Sequence, residues 1–153
     1  MPHLSSRIAA CCLALIVGGA AGVLTAETLR FSTVVIDAGH GGRDGGSVWN
    51  GLVEKKLCLD VAKRIETALK SKGLKTVMTR RSDTFVELGQ RARIANRVPS
   101  SVFVSIHFNG SRKTSISGGE VYYRSSHGKW LATAISRSIP RKEDGGPRGI
   151  FYA

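Results

Sequence analysis

From Phe31 onward, apolar and polar positions divide the chain into alternating strand and helix patterns. Residues 34–37 are a short β-branched run that stops in Ala38-Gly39-His40-Gly41-Gly42. Residues 54–72 then take helical spacing, with Leu57, Val61, Ala62, Ile65 and Leu69 on one stripe and Gly73 as the stop. A second strand is predicted over 75–80. A second helix follows over 87–98, with Leu88, Ala92 and Ala95 on one face and Pro99 closing it. Residues 101–107 form the third and most apolar strand pattern. This order implies an α/β fold in which parallel strands are joined by right-handed crossovers and covered by helices on both faces. The link 109–119 has no helical pattern, so residues 120–124 are expected as one antiparallel strand beside an otherwise parallel twisted sheet. A third helix is expected over 129–139, before Pro140, and a polar, turn-rich loop over 141–149. Residues 150–153 read as the beginning of another strand, so the domain is expected to be incomplete at its C-terminus.

The N-terminal segment has a different pattern. Arg7 precedes an uncharged stretch, residues 8–25, rich in Ala, Leu, Val and Gly, and Ala26 offers a small residue before Glu27. That is the pattern of a secretory signal peptide over 1–26, with residues 27–153 as one domain. Ile8-Ala9-Ala10-Cys11 resembles a lipoprotein cleavage box, but the residues before it are polar, and lipidation of Cys11 is not expected. Cleavage removes Cys11 and Cys12 and leaves Cys58 alone, so no internal disulfide forms. Cys58 sits on the apolar stripe of the first helix and reads as packing. The net charge of +12 falls only by the charge of Arg7. An exported protein so basic is expected to meet anionic envelope polymers in the periplasm, cell wall or extracellular space. No nucleic-acid partner is expected, and no stable membrane insertion after signal cleavage.

Candidate chemistry gathers at the strand ends. His40 follows the first strand and His107 ends the third, which puts both at the carboxyl edge where parallel sheets bind ligands. Glu54 opens the first helix, reached by the glycine-rich run from His40 to Gly51. Two histidines and a glutamate make a catalytic zinc set, since three protein ligands leave a fourth tetrahedral position open. Singly, each has a plainer reading: a loop histidine, or an acid complementing a helix dipole. His107 argues for the joint reading, because an imidazole ending an apolar strand needs a partner. His127 reads as a solvated turn residue, and His3 leaves with the signal. The glycine cluster lacks the order of a phosphate-binding loop and suits a backbone turning about a metal and a substrate.

Several blocks carry a family resemblance: Val35-Ile36-Asp37-Ala38-Gly39-His40-Gly41-Gly42, Glu54 at a helix head, Thr79-Arg80 with Asp83, Arg91 with Ala95-Asn96, Ser105-Ile106-His107 with Asn109, and Gly119-Glu120-Val121-Tyr122-Tyr123. In this order and spacing they resemble the zinc-dependent N-acetylmuramoyl-L-alanine amidases of the type 3 family. The resemblance implies a peptidoglycan hydrolase that cuts the amide between the lactyl group of N-acetylmuramic acid and the L-alanine of the stem peptide. It places one zinc on His40, Glu54 and His107. The family's general-base glutamate lies in a later segment of the form P-x-x-L-x-E, which this sequence lacks. Glu120 is then the expected base within the chain, and the alternative function is an inactive zinc- or peptidoglycan-binding module. Asn109, Arg80 and Arg91 are expected substrate contacts. Asp37 is expected to brace the His40 loop and Asp44 to fold the glycine-rich turn. The residues from 125 to 149 leave little room for the self-blocking helix of the family's division enzymes, and no activator can be named.

Overall fold

A computed structural model describes residues 31–110, 117–140 and 146–153. The expected signal segment 1–26, and parts of the links expected around 109–119 and 141–149, lie outside the described residues. Ten elements follow in order: β1 (Thr33–Ala38), β2 (Val48–Trp49), β3 (Leu52–Val53), α1 (Glu54–Lys70), β4 (Lys75–Met78), α2 (Leu88–Asn96), β5 (Ser101–Ile106), β6 (Gly119–Tyr123), α3 (Ser126–Ser138) and β7 (Pro147–Tyr152). None of the described helices is long and apolar enough to cross a membrane.

The centre is a three-stranded parallel sheet in the order β4-β1-β5. β1 is buried along its whole length because each of its faces is covered. Val34, Ile36 and Ala38 point to one face and pack with Met78 and with Cys58 and Ala62 of α1. Asp37 points to the opposite face, where Arg91 of α2 meets it. The expected placement of helices on both sides of the sheet follows from that alternation. On α1, Glu54, Cys58, Ala62 and Glu66 form one buried row at i, i+4 spacing. Its apolar middle packs on the sheet, while its two carboxylates lie at opposite ends and meet different partners.

Several expectations are corrected. A short antiparallel hairpin, β2–β3, turns through Asn50 and Gly51, at φ 47 and 77, within what sequence reading treats as featureless glycine-rich loop. β6 does not join the central sheet as the expected antiparallel strand: among the described strands it pairs with β7, in parallel, as a separate two-stranded sheet, and α3 packs on both. The physical reason is the helix between them, since a strand, helix and strand in succession close as a parallel unit. The last residues, expected only as the start of a strand, form β7 with Pro147 as its first residue. Strand β4 stops at Met78, and Thr79 and Arg80 turn inward instead of extending it. Helix α3 begins earlier than its apolar pattern suggests, because the Ser125 hydroxyl accepts from the Gly128 amide and caps it.

Candidate active site

Three ligand atoms from three elements meet at the carboxyl edge of the central sheet. His40 Nε2 lies 3.0 Å from Glu54 Oε1 and 3.1 Å from His107 Nδ1, and His107 Nδ1 lies 3.2 Å from the same carboxylate oxygen. The three atoms therefore form a nearly equilateral triangle. A zinc ion at about 2.0–2.1 Å from each of three tetrahedral ligands would set those ligands about 3.3 Å apart, so spacing and donor types both fit. Among the described residues, this trio is the cluster of His, Cys and acidic side chains able to hold a metal ion.

The sequence builds this corner by close approach. His40 adopts φ 59, a left-handed conformation unfavourable for a residue with a Cβ, and its position is fixed from several sides. Its imidazole Nδ1 is 2.9 Å from Asp44 Oδ2. With Nδ1–H donated to that carboxylate, the Nε2 lone pair faces the triangle, the tautomer that a metal requires. Gly39 must lack a side chain because a Cβ there would stand 2.5 Å from His107 Cε1. Gly46, at φ +66, is confined in the same way: a Cβ would fall 2.6 Å from His40 Cδ2 and 2.8 Å from Glu54 Oε2.

Glu54 is held by backbone. Its Oε2 accepts from the Ser47 amide at 2.8 Å and its Oε1 from the Phe108 amide at 2.9 Å. The first amides of α1, which have no side-chain cap, donate instead to the carbonyls of Ser47 and Gly45. Burial, the largest single influence, pushes the Glu54 carboxyl up. The two amides and the two imidazoles together outweigh it and hold the group below the usual carboxylate range. Asp44 is also lowered, chiefly by its hydrogen bond to His40.

The remaining expected residues divide into two groups. Arg80 and Arg91 are 4% and 6% exposed, which corrects the expectation that they meet substrate. Arg80 donates to the carbonyls of Ala38, Gly39, Lys55 and Ser82. Arg91 donates to those of Val86, Ala38 and His40 and pairs with Asp37 at 2.7 Å. Both guanidinium groups thus hold the turn after β1 from beneath. Asp37 also accepts from Thr79 and Ser105, so it ties all three central strands to α2. Asn109 and Glu120 lie outside this frame. Asn109 Nδ2 is 3.5 Å from Glu120 Oε2, and Glu120 is engaged by the Tyr122 hydroxyl and by Arg148. Asp44 does fold the glycine-rich turn, through the Gly46 amide, but its contact with the His40 ring went unread in the sequence. An acid four residues after a candidate ligand was the available signal.

Residues 34–153 match the family model described as N-acetylmuramoyl-L-alanine amidase. N-acetylmuramoyl-L-alanine amidase LytC of Bacillus subtilis is 37% identical over 125 residues, 79% of this chain and 25% of that protein. The amidase AmiA of Escherichia coli is 34% identical over 112 residues, 72% of this chain and 38% of that protein. Among solved structures, the amidase AmiC2 of Nostoc punctiforme superposes with a TM-score of 0.73 at 41% identity, covering 79% of this chain and 68% of that one. The catalytic domain of the amidase CwlV from Bacillus (Paenibacillus) polymyxa gives 0.71 at 38% identity, covering 80% and 70%. The chain spans between a quarter and two fifths of the lengths of LytC and AmiA. By the family match over most of its length, this chain belongs to the N-acetylmuramoyl-L-alanine amidase family.

Proposed function

We propose that this chain carries the catalytic domain of an exported peptidoglycan hydrolase. It cleaves the amide between the lactyl group of N-acetylmuramic acid and the L-alanine of the stem peptide. His40, Glu54 and His107 would hold one zinc ion, and residues 1–26 would direct export to the periplasm, cell wall or medium. The observation that carries the reading is the triangle of His40 Nε2, His107 Nδ1 and Glu54 Oε1, with edges of 3.0 to 3.2 Å.

Zinc held there supplies a Lewis acid for the amide carbonyl and a water of lowered pKa. The chain's own residues prepare the site. Asp44 fixes the His40 tautomer, and the Ser47 and Phe108 amides keep both oxygens of Glu54 oriented. Hydrolysis also needs a group that takes a proton from water and returns it to the leaving amine, a role worth about 10²- to 10⁴-fold in rate. Within this chain we assign that role to Glu120, whose Oε2 lies 3.5 Å from Nδ2 of Asn109, two residues after His107. Its engagement by Arg148 and Tyr122 favours a second reading, a zinc- and wall-binding module with little turnover. The net charge of +12 supports binding to an anionic wall polymer in either case, weakening as salt screens it.

Digestion of purified peptidoglycan by the zinc-loaded protein separates the two. New amino-terminal L-alanine, released with intact muramic acid, supports the amidase. Wall binding with no new amino ends supports the module, and cleavage at another peptide bond contradicts both.

A further inference from the structure

The β2–β3 hairpin presents an apolar pair beside the metal-type cluster. Trp49 and Leu52 face one another across the ladder and are 55% and 56% exposed. The ladder continues one step to Ser47 and Glu54, where the Glu54 amide donates to the Ser47 carbonyl and the Ser47 amide donates to the Glu54 side chain. Facing residues of an antiparallel pair share a side, and alternate residues return to it. Trp49 and Leu52 therefore project from the same side of the hairpin as Ser47 and Glu54, while Val48 and Val53 take the other. That side looks toward the segment after His107, since a Cβ at Gly110 would stand 3.2 Å from Ser47 Oγ. Two strand positions separate Trp49 from Ser47, a span of about 7 Å. The tight turn at Asn50 and Gly51 makes this ladder a short, defined arm.

An exposed tryptophan against an exposed leucine is a surface that a ligand improves by covering it. The run from Gly45 to Val53 contains no charged residue, so it offers nothing to the free carboxylates of a peptide. It does suit a sugar. One face of a pyranose ring presents C–H groups with partial positive charge, which the negative face of an indole attracts. Asn50 at the turn adds an amide able to meet a hydroxyl or acetamido group.

We infer that Trp49, supported by Leu52, is a glycan subsite that stacks on an N-acetylhexosamine ring on the sugar side of the scissile amide. This inference rests on the amidase reading above. The chain has two tryptophans, so Trp130→Phe, at an exposed position of α3, leaves Trp49 as the sole indole reporter. Zinc-loaded protein of that background is titrated with tetra-N-acetylchitotetraose and, separately, with a sugar-free stem peptide. A saturable fluorescence change with the oligosaccharide and none with the peptide is expected. In the enzyme otherwise unchanged, Trp49→Ala should raise KM for glycan-bearing substrate about three- to tenfold. It should leave zinc stoichiometry and cleavage of a lactyl-peptide lacking the sugar unchanged, and Trp49→Phe should restore most of the lost affinity. No response to the oligosaccharide, a response to the peptide alone, or an equal loss on both substrates overturns the subsite. If the protein binds the oligosaccharide through Trp49 but cleaves no muramyl amide, the subsite stands and the amidase reading fails.

Discussion

Arg91 holds the carbonyl of His40 at 2.7 Å, beneath the imidazole that points into the metal-type triangle. The same guanidinium pairs with buried Asp37, so the strained, left-handed His40 is anchored through α2 to the carboxyl end of β1. Arg91→Met should therefore cost about 3–5 kcal/mol by leaving Asp37 without its cation. Arg91→Lys, which keeps the charge but cannot make the same set of bonds, should fall between the two. Urea unfolding of the three proteins checks the order. A parent-like stability for Arg91→Met would mean that the Thr79 and Ser105 hydroxyls satisfy Asp37 without a cation.

Asp44 tests the tautomer. Asp44→Asn removes the charge that favours Nδ1–H on His40 and should weaken zinc binding about 10- to 100-fold while leaving the fold in place. Competition with a zinc-chelating dye measures it. Unchanged affinity would show that the Asp44 contact serves the turn alone.

These contacts mark where sequence reading stops. Hydrophobic periodicity located the three strands of the central sheet and α1, which bury apolar side chains at regular spacing; α2 forms where expected, but Leu88 and Ala92 of its predicted apolar face are exposed and its buried residue is Arg91. His40, Glu54 and His107 were legible because a β-α-β-α-β order forces strand ends and the glycine loop to one edge. Arg80 and Arg91 were misread because charge normally signals the surface, whereas here backbone carbonyls of a tight turn solvate each guanidinium. Asn50-Gly51 between Val48-Trp49 and Leu52-Val53 is a hairpin signal that the surrounding glycines obscured. The parallel pairing of β6 with β7 follows from α3 between them, since a strand, helix and strand in succession close as a parallel unit.

Glu66, at the far end of the α1 row, gives a pH signature. Hydrogen bonds from Arg81, then from Lys70 and Thr76, outweigh burial and hold its carboxyl down at about 2. A depressed folded-state pKa gives stability that is full above the unfolded value and lost as pH falls toward the folded one. Glu66→Gln should thus cost about 1–2 kcal/mol at pH 7, discounted because Arg81 and Lys70 are more than half exposed. The gap between parent and variant should shrink from about pH 4.5 to 2. Urea titrations across that range in chelator would reveal a pH-independent gap if the pairing were idle.

Cys58 should be chemically silent. Burial first, and then the negative charge of Glu54, push its thiol up to about 11. The folded protein at pH 8 should resist a thiol-specific disulfide reagent, and urea should release one reactive thiol per mature chain. Rapid labelling of native protein would place Cys58 at an accessible surface and contradict the packing of α1 on β1.

The zinc stoichiometry of single-site variants tests the central claim most directly. Metal analysis after dialysis should find one zinc per parent chain and per His127→Ala chain, and little in His40→Ala, Glu54→Ala or His107→Ala. Circular dichroism should show each of these variants folded. Equal zinc in all five proteins, or none in the parent at micromolar zinc, would contradict the assignment of the three-residue site.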